Sequence, residues 1–251
     1  MQKMVAMKIG KILACFVLTL TVSAVSASTP DNDDIYSKIA DSNSAYYYPN
    51  LKMRYDQWIA PMGIDELHYL YYGFAYQPEY KPLANNPHNT RVMEILAKVA
   101  LEEPSVSDID ELIYTAMQSY ERDPFSPQTL NVLAYAYGVL GDKTREKAFA
   151  ERLNGVLEVI ASSGDGLKEK TPMHIIMFSH GQDYIASKGW TYGKSRIISR
   201  TVEYLPFEVA HNKVKGYYFD YSRIYWNKPD DYTFKRERTW QFNNLKPREY
   251  K

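Results

Sequence analysis

The chain of 251 residues has one cysteine, Cys15, and no apolar run long enough to cross a bilayer. The longest candidate, Ile12 to Val22, would rise only about 16 Å as a helix, half of a hydrocarbon core. With its only thiol in that leading segment, the remainder excludes disulfides, zinc–thiolate centres and a cysteine nucleophile. Reactive spacings are missing too. There is no Gly-x-Ser-x-Gly elbow, no His-Glu-x-x-His, and no close pair among His68, His88, His174, His180 and His211. The chain has no surplus of either sign, with 30 basic and 30 acidic residues.

What stands at the front is an export signal. Lys3, Lys8 and Lys11 precede the apolar run, and Ser23-Ala-Val-Ser-Ala27 supplies small residues, with Val25 and Ala27 at the positions a signal peptidase selects. The expectation is cleavage after Ala27 and a periplasmic or secreted product. Ile12-Leu-Ala-Cys15 resembles a lipoprotein box but opens the apolar run instead of closing it. Lipidation at Cys15 is therefore disfavoured. A protein without disulfides must hold itself by its core, and about 224 residues suffice for one large or two small domains.

Charge is unevenly distributed. Residues 28–110 carry 6 basic and 13 acidic groups, whereas residues 211–251 carry 10 and 5. Residues 28–34, STPDNDD, read as a solvated linker, and the basic, aromatic 227–251 as an extended tail. Lys235-Arg-Glu-Arg-Thr-Trp240 superficially suits single-stranded nucleic acid, but export argues against that partner.

Residues 35–162 are predicted to form five or six helices. One starts near Gly63 and ends by Pro78. Val92, Ile95, Leu96 and Val99 share a face, as do Ile109, Leu112, Ile113, Ala116, Met117 and Tyr120. Ser107 with Asp110 reads as a start box, Ser126-Pro127 as a cap followed by proline at N1, and Gly141 as a stop. The last helix should bury Phe149, Leu153, Val156, Leu157 and Ile160. Leu112, Ala116, Ser119 and Pro124, then Leu130, Leu133, Ala134, Tyr137 and Gly141, resemble one and a half tetratricopeptide units. Ala148 falls two residues late and no full repeat recurs, so the reading is a helical hairpin layer and not a solenoid.

After Gly166 the period changes to two. Met173–Phe178, Arg196–Tyr204 and Lys213–Trp226 are predicted strands, the last apolar on both faces. The fold class is α+β: antiparallel helical hairpins in 35–162, then a small antiparallel β-sheet within 163–226.

Ser163-Gly-Asp-Gly166 invites a ligand reading that its position refuses. Phosphate loops lie between a strand and a following helix, at the positive helix end. Here a helix precedes the loop, so Gly164 and Gly166 fit a C-cap and a tight turn at positive φ. His174 and His180, six apart on a strand, would lie about 20 Å from one another and could not share a metal. Asp183, Glu203 and Asp220 offer carboxylates, but sequence alone does not bring them together.

Tyr71-Tyr-Gly73, Tyr76-Gln-Pro78, Tyr80-Lys-Pro82, Ser163-Gly-Asp-Gly166 and Tyr218-Phe-Asp220, in this order and spacing, resemble the bacterial secreted family called domain of unknown function 4919, over roughly 35–226. The resemblance implies a cell-envelope setting and carries over no catalytic residues, metal or cofactor. If its recurring residues mark a ligand surface, Tyr76, Tyr80, Asp165 and Asp220 are the candidates. The leading expectation is a non-catalytic module that binds another envelope protein. The 23 tyrosines also admit a glycan- or small-ligand-binding module. A hydrolase requires Asp165, Asp183 and Asp220 to meet in one cleft.

Overall fold

The structure, a computed structural model, describes residues 29–99 and 104–226. The Cys15 and Ala27 signals and the tail 227–251 lie outside the described residues. Among the described residues, eight α-helices and four strands run in the order α1 Asn32–Ala40, α2 Tyr48–Gln57, α3 Ile64–Gly73, α4 Pro87–Val99, α5 Val106–Arg122, α6 Pro127–Val139, α7 Lys143–Ser162, β1 Met173–His174, α8 Phe178–Ser187, β2 Arg196–Ile197, β3 Val202–His211 and β4 Val214–Asp220. Short 3₁₀ turns follow α3 and β4, at Phe74–Tyr76 and Ser222–Tyr225.

Local chemistry accounts for most helix ends. Within the expected linker at 28–34, Asp31 caps α1 and Asn32 to Asp34 form its first turn. Asp31 accepts from the N–H groups of Asp33 and Asp34, and those two acids fill the first turn, where the helix dipole favours them. The start box of α5 lies two residues before the expected one, with Ser105 and Asp108 exchanging bonds. Ser126 caps α6 through Thr129 N–H with Pro127 at N1, as expected. Gly141 has φ +79° and leads into α7, which Asp142 caps.

Seven helices therefore occupy the region where five or six were expected, because residues 32–57 form two. The amphipathic helices α4 to α7 each pack on the next. α7 buries Phe149, Leu153, Val156 and Ile160, while Leu157 is only half-buried and Arg152 is buried among them.

The sheet has the order β1-β4-β3-β2 and is mixed, not purely antiparallel: β1 runs parallel to β4, and the other pairs are antiparallel. β3 and β4 join through Asn212 and Lys213, both at positive φ, the two-residue turn whose twist suits a hairpin. β4 ends at Asp220, so the expected strand to Trp226 is cut short by a 3₁₀ turn.

The strand expected over Met173–Phe178 is only two residues long, and α8 begins at Phe178. His180, Gly181, Tyr184 and Ile185 are buried at helical spacing, and packing that stripe against the sheet and α6 overrides the local apolar run. His180 therefore belongs to a helix. One continuous buried cluster from Ile35 to Ile224 joins helices and sheet.

Of the two glycines expected at positive φ, only Gly166 is (+65°). Gly164 is required for a different reason: a Cβ there would lie 2.0 Å from the Pro172 carbonyl oxygen. At Gly141 an added Cβ meets nothing. Gly164→Ala should therefore cost about 3 kcal/mol or more, since backbone must move. Gly141→Ala should cost about 1–2 kcal/mol, the left-handed penalty alone. Urea unfolding of both variants checks this order, and equal losses would contradict it.

Candidate functional site

Four of the five family-like motifs, all but Tyr76-Gln-Pro78, converge on one short segment, Met173–Ile176, which passes between helices and sheet. Ile175 and Ile176 are fully buried. A buried peptide group without a partner costs about 1–3 kcal/mol, so each of these must be matched. His174 N–H donates to Ser163 Oγ at 2.8 Å and Ile175 N–H to the Asp220 carbonyl at 3.1 Å. Ile176 N–H donates to the Tyr71 hydroxyl at 3.4 Å. The Tyr72 hydroxyl donates to the His174 carbonyl at 3.1 Å, and Tyr80 to that of Ile176 at 2.6 Å. Burial raises Tyr72 to about 12 and holds Tyr71 and Tyr80 well above the ordinary tyrosine value, so these hydroxyls keep their protons.

The four expected ligand residues accordingly have internal partners. Tyr80 and Asp220 meet at this segment. Asp220 accepts from Ser222 N–H at 2.8 Å and Thr201 Oγ1 at 3.1 Å, with His174 Nδ1 3.7 Å away. Burial works to raise the Asp220 carboxyl, but His174 and Ser222 outweigh it and hold it at about 2. Asp165 closes its own turn, accepting from Leu167 N–H at 2.8 Å and Thr171 Oγ1 at 2.6 Å. Tyr76 donates to the Asn32 carbonyl at 2.9 Å and packs against the rings of Tyr36 and Trp226.

A second node lies beside the first. His180 is fully buried, its Nδ1 2.8 Å from the Tyr71 hydroxyl and its Nε2 3.0 Å from Asp123 Oδ2. With Ile176 N–H directed at the Tyr71 oxygen, the hydroxyl proton goes to Nδ1, which leaves Nε2 to donate to Asp123. Asp183, one turn further along α8, is half-buried, yet its Oδ2 is sealed with no hydrogen-bond partner. Burial pushes Asp183 up to about 7; His180 opposes the rise and Asp123 adds to it. The three carboxylates a hydrolase would need thus have separate surroundings: Asp183 feels the charge of His180, Asp220 lies at His174, and Asp165 closes its own turn.

The open space is elsewhere. A cleft of about 680 Å³ lies between α2, α5 and α7, within the range of small-molecule sites. Tyr48, Phe74, Tyr120 and Phe149 supply its rings. Lys52, Asp56, Glu79, Glu121, Gln77 and Arg152 supply its polar groups. None of the four expected candidates lines it. Its wall includes Pro124, which follows Asp123 and accepts a hydrogen bond from the Tyr55 hydroxyl at 2.9 Å.

A comparison with protein families matches residues 33–229 to the one described as Domain of unknown function (DUF4919). The chain belongs to the DUF4919 family. No curated protein and no solved structure matches it.

In this DUF4919 domain most of the motifs that carry the resemblance hold the fold, and the charged groups of the cleft are residues that sequence reading passed over. Lys52, Glu79 and Arg152 are ordinary helix or loop charges in a one-dimensional view, and only the folding together of positions 48 to 152 makes them neighbours. For the His180 node the available signal was the helical spacing of 180, 181, 184 and 185.

Asp183 gives this domain a pH dependence. In the folded state it keeps the proton that the unfolded chain releases above its ordinary 3.8, so its contribution is complete below about pH 4 and lost as pH rises through about 7. Denaturant midpoints from pH 4 to 8 should show Asp183→Asn removing this decline and gaining relative stability, up to a few kcal/mol, at the alkaline end. Parallel profiles for the two proteins would contradict it.

Proposed function

We propose that this DUF4919 domain is an exported, non-catalytic binding protein that takes a small polar ligand in the cleft between α2, α5 and α7. The cleft carries the reading: it has the volume of a ligand site, apolar rings in its walls and hydrogen-bonding groups around them. This favours the small-ligand alternative over docking of another envelope protein. Export rests on the leading Lys3-to-Ala27 segment and places the ligand in the cell envelope or outside the cell. Binding without catalysis is supported by the burial of His180 and by the internal partners of Asp220 and Asp165.

Met117 is half-buried on α5, packs against the core and lines the cleft, so Met117→Trp should fill the space while keeping an apolar side chain against that core. In a thermal-shift screen of sugars, amino acids and organic amines, a ligand of the wild-type protein should bind Met117→Trp at least tenfold more weakly, with an unliganded melting temperature close to wild type. Hits that bind both proteins equally would place the site outside the cleft.

A further inference from the structure

We infer that the ligand of this cleft carries an ammonium group on an apolar or aromatic body. The inference rests on the cleft reading and concerns the charges that remain after internal pairing.

Two cations and three carboxylates line the cleft, and they are not equally free. Lys52 Nζ is held by Asp56, 2.7 Å and 2.6 Å from its two oxygens. Arg152 is 5% exposed. It donates through Nε and Nη2 to the Tyr55 carbonyl and through Nη2 to that of Asp56. These are C-terminal carbonyls of α2, the negative end of that helix, and they already offset the guanidinium charge. The rings of Tyr55, Trp58 and Phe149 pack around it, with centroids 5.3, 5.1 and 4.7 Å from its Cζ. Lys52 is therefore paired, and Arg152 has Nε and Nη2 committed to backbone carbonyls, while its charge still opposes the burial-driven rise of the Tyr120 hydroxyl.

Glu79 and Glu121 are different. Both are exposed, both line the cleft, and among the described residues no lysine or arginine pairs with either. The field of Glu79 reaches the cleft interior: burial is the main cause of the raised Tyr48 hydroxyl, and the carboxylates of Glu79 and Asp56 raise it further. A ligand in the cleft thus shares it with two carboxylates that no described lysine or arginine pairs, and with the rings of Tyr48, Phe74, Tyr120 and Phe149. An anion is repelled there. A cation gains from the carboxylates and from the electron-rich rings, while an apolar body displaces water from the walls. An organic amine combines both features.

The test is calorimetric titration of the mature chain with tyramine and spermidine as cationic probes. 4-Ethylphenol serves as the neutral counterpart of tyramine and 3-(4-hydroxyphenyl)propionate as the anionic one. The proteins are wild type, Met117→Trp and the double variant Glu79→Gln/Glu121→Gln, whose two sites are exposed and leave the core intact. The expected result is binding of an amine probe that weakens at least tenfold in the double variant and with added salt, and at least tenfold for the neutral counterpart. If 4-ethylphenol or the propionate binds as tightly as tyramine, and Met117→Trp abolishes it, the cleft stands and the ammonium inference fails. If no probe binds, or binding is indifferent to Met117→Trp, both fail.

Discussion

The fold depends on satisfying the backbone of Met173–Ile176. This segment is the join between the helical layer and the sheet, and its isoleucines are sealed from water. A regular sheet would cover its N–H and C=O groups on both sides, but β1 has only β4 as a neighbour. Tyrosine hydroxyls from α3 and its following loop supply what is missing, together with Ser163 from the end of α7. A tyrosine suits this role because its ring fills apolar space while its hydroxyl reaches a polar atom. Three separate stretches of chain are thereby fixed to one short strand.

The same hydroxyl network links the segment to charge. Tyr71 joins Ile176 to His180, and His180 joins Asp123 at the end of α5, so one path of hydrogen bonds crosses from sheet side to helix side. Asp123 is next to Pro124, and Pro124 lines the cleft. One wall of the cleft is thus joined to buried polar contacts, while Glu79 and Glu121 on its lining pair with no lysine or arginine among the described residues. A rigid frame beneath a charged, ring-lined opening is the arrangement a preorganised binding site requires.

Legibility in the sequence followed the range of the interaction. Helix starts at Ser126-Pro127, the stop at Gly141 and the amphipathic faces of α4 and α5 are decided within a few residues, and all were readable. The family resemblance was readable as well, because ordered motifs survive in one dimension. The two-residue β1 and its parallel pairing were not, since the apolar run at 173–178 is equally compatible with a longer strand until α8 is packed against the sheet. Tyr71 and His180 are 109 positions apart and Asp123 and His180 are 57 apart. No local pattern announces such pairs. Tyr80 and Asp220 stood out in the sequence as ligand candidates, and the structure gives them partners inside the protein.

The central claim is that Met173–Ile176 is a buried segment held by side-chain hydroxyls. Amide hydrogen exchange measured by NMR in the folded protein reads it directly. The account has the His174, Ile175 and Ile176 amides exchanging only with global unfolding, and in Tyr71→Phe the Ile176 amide alone becoming markedly faster than its neighbours. Rapid exchange of these three amides in the wild-type protein, or an Ile176 rate unmoved in the variant, would contradict it.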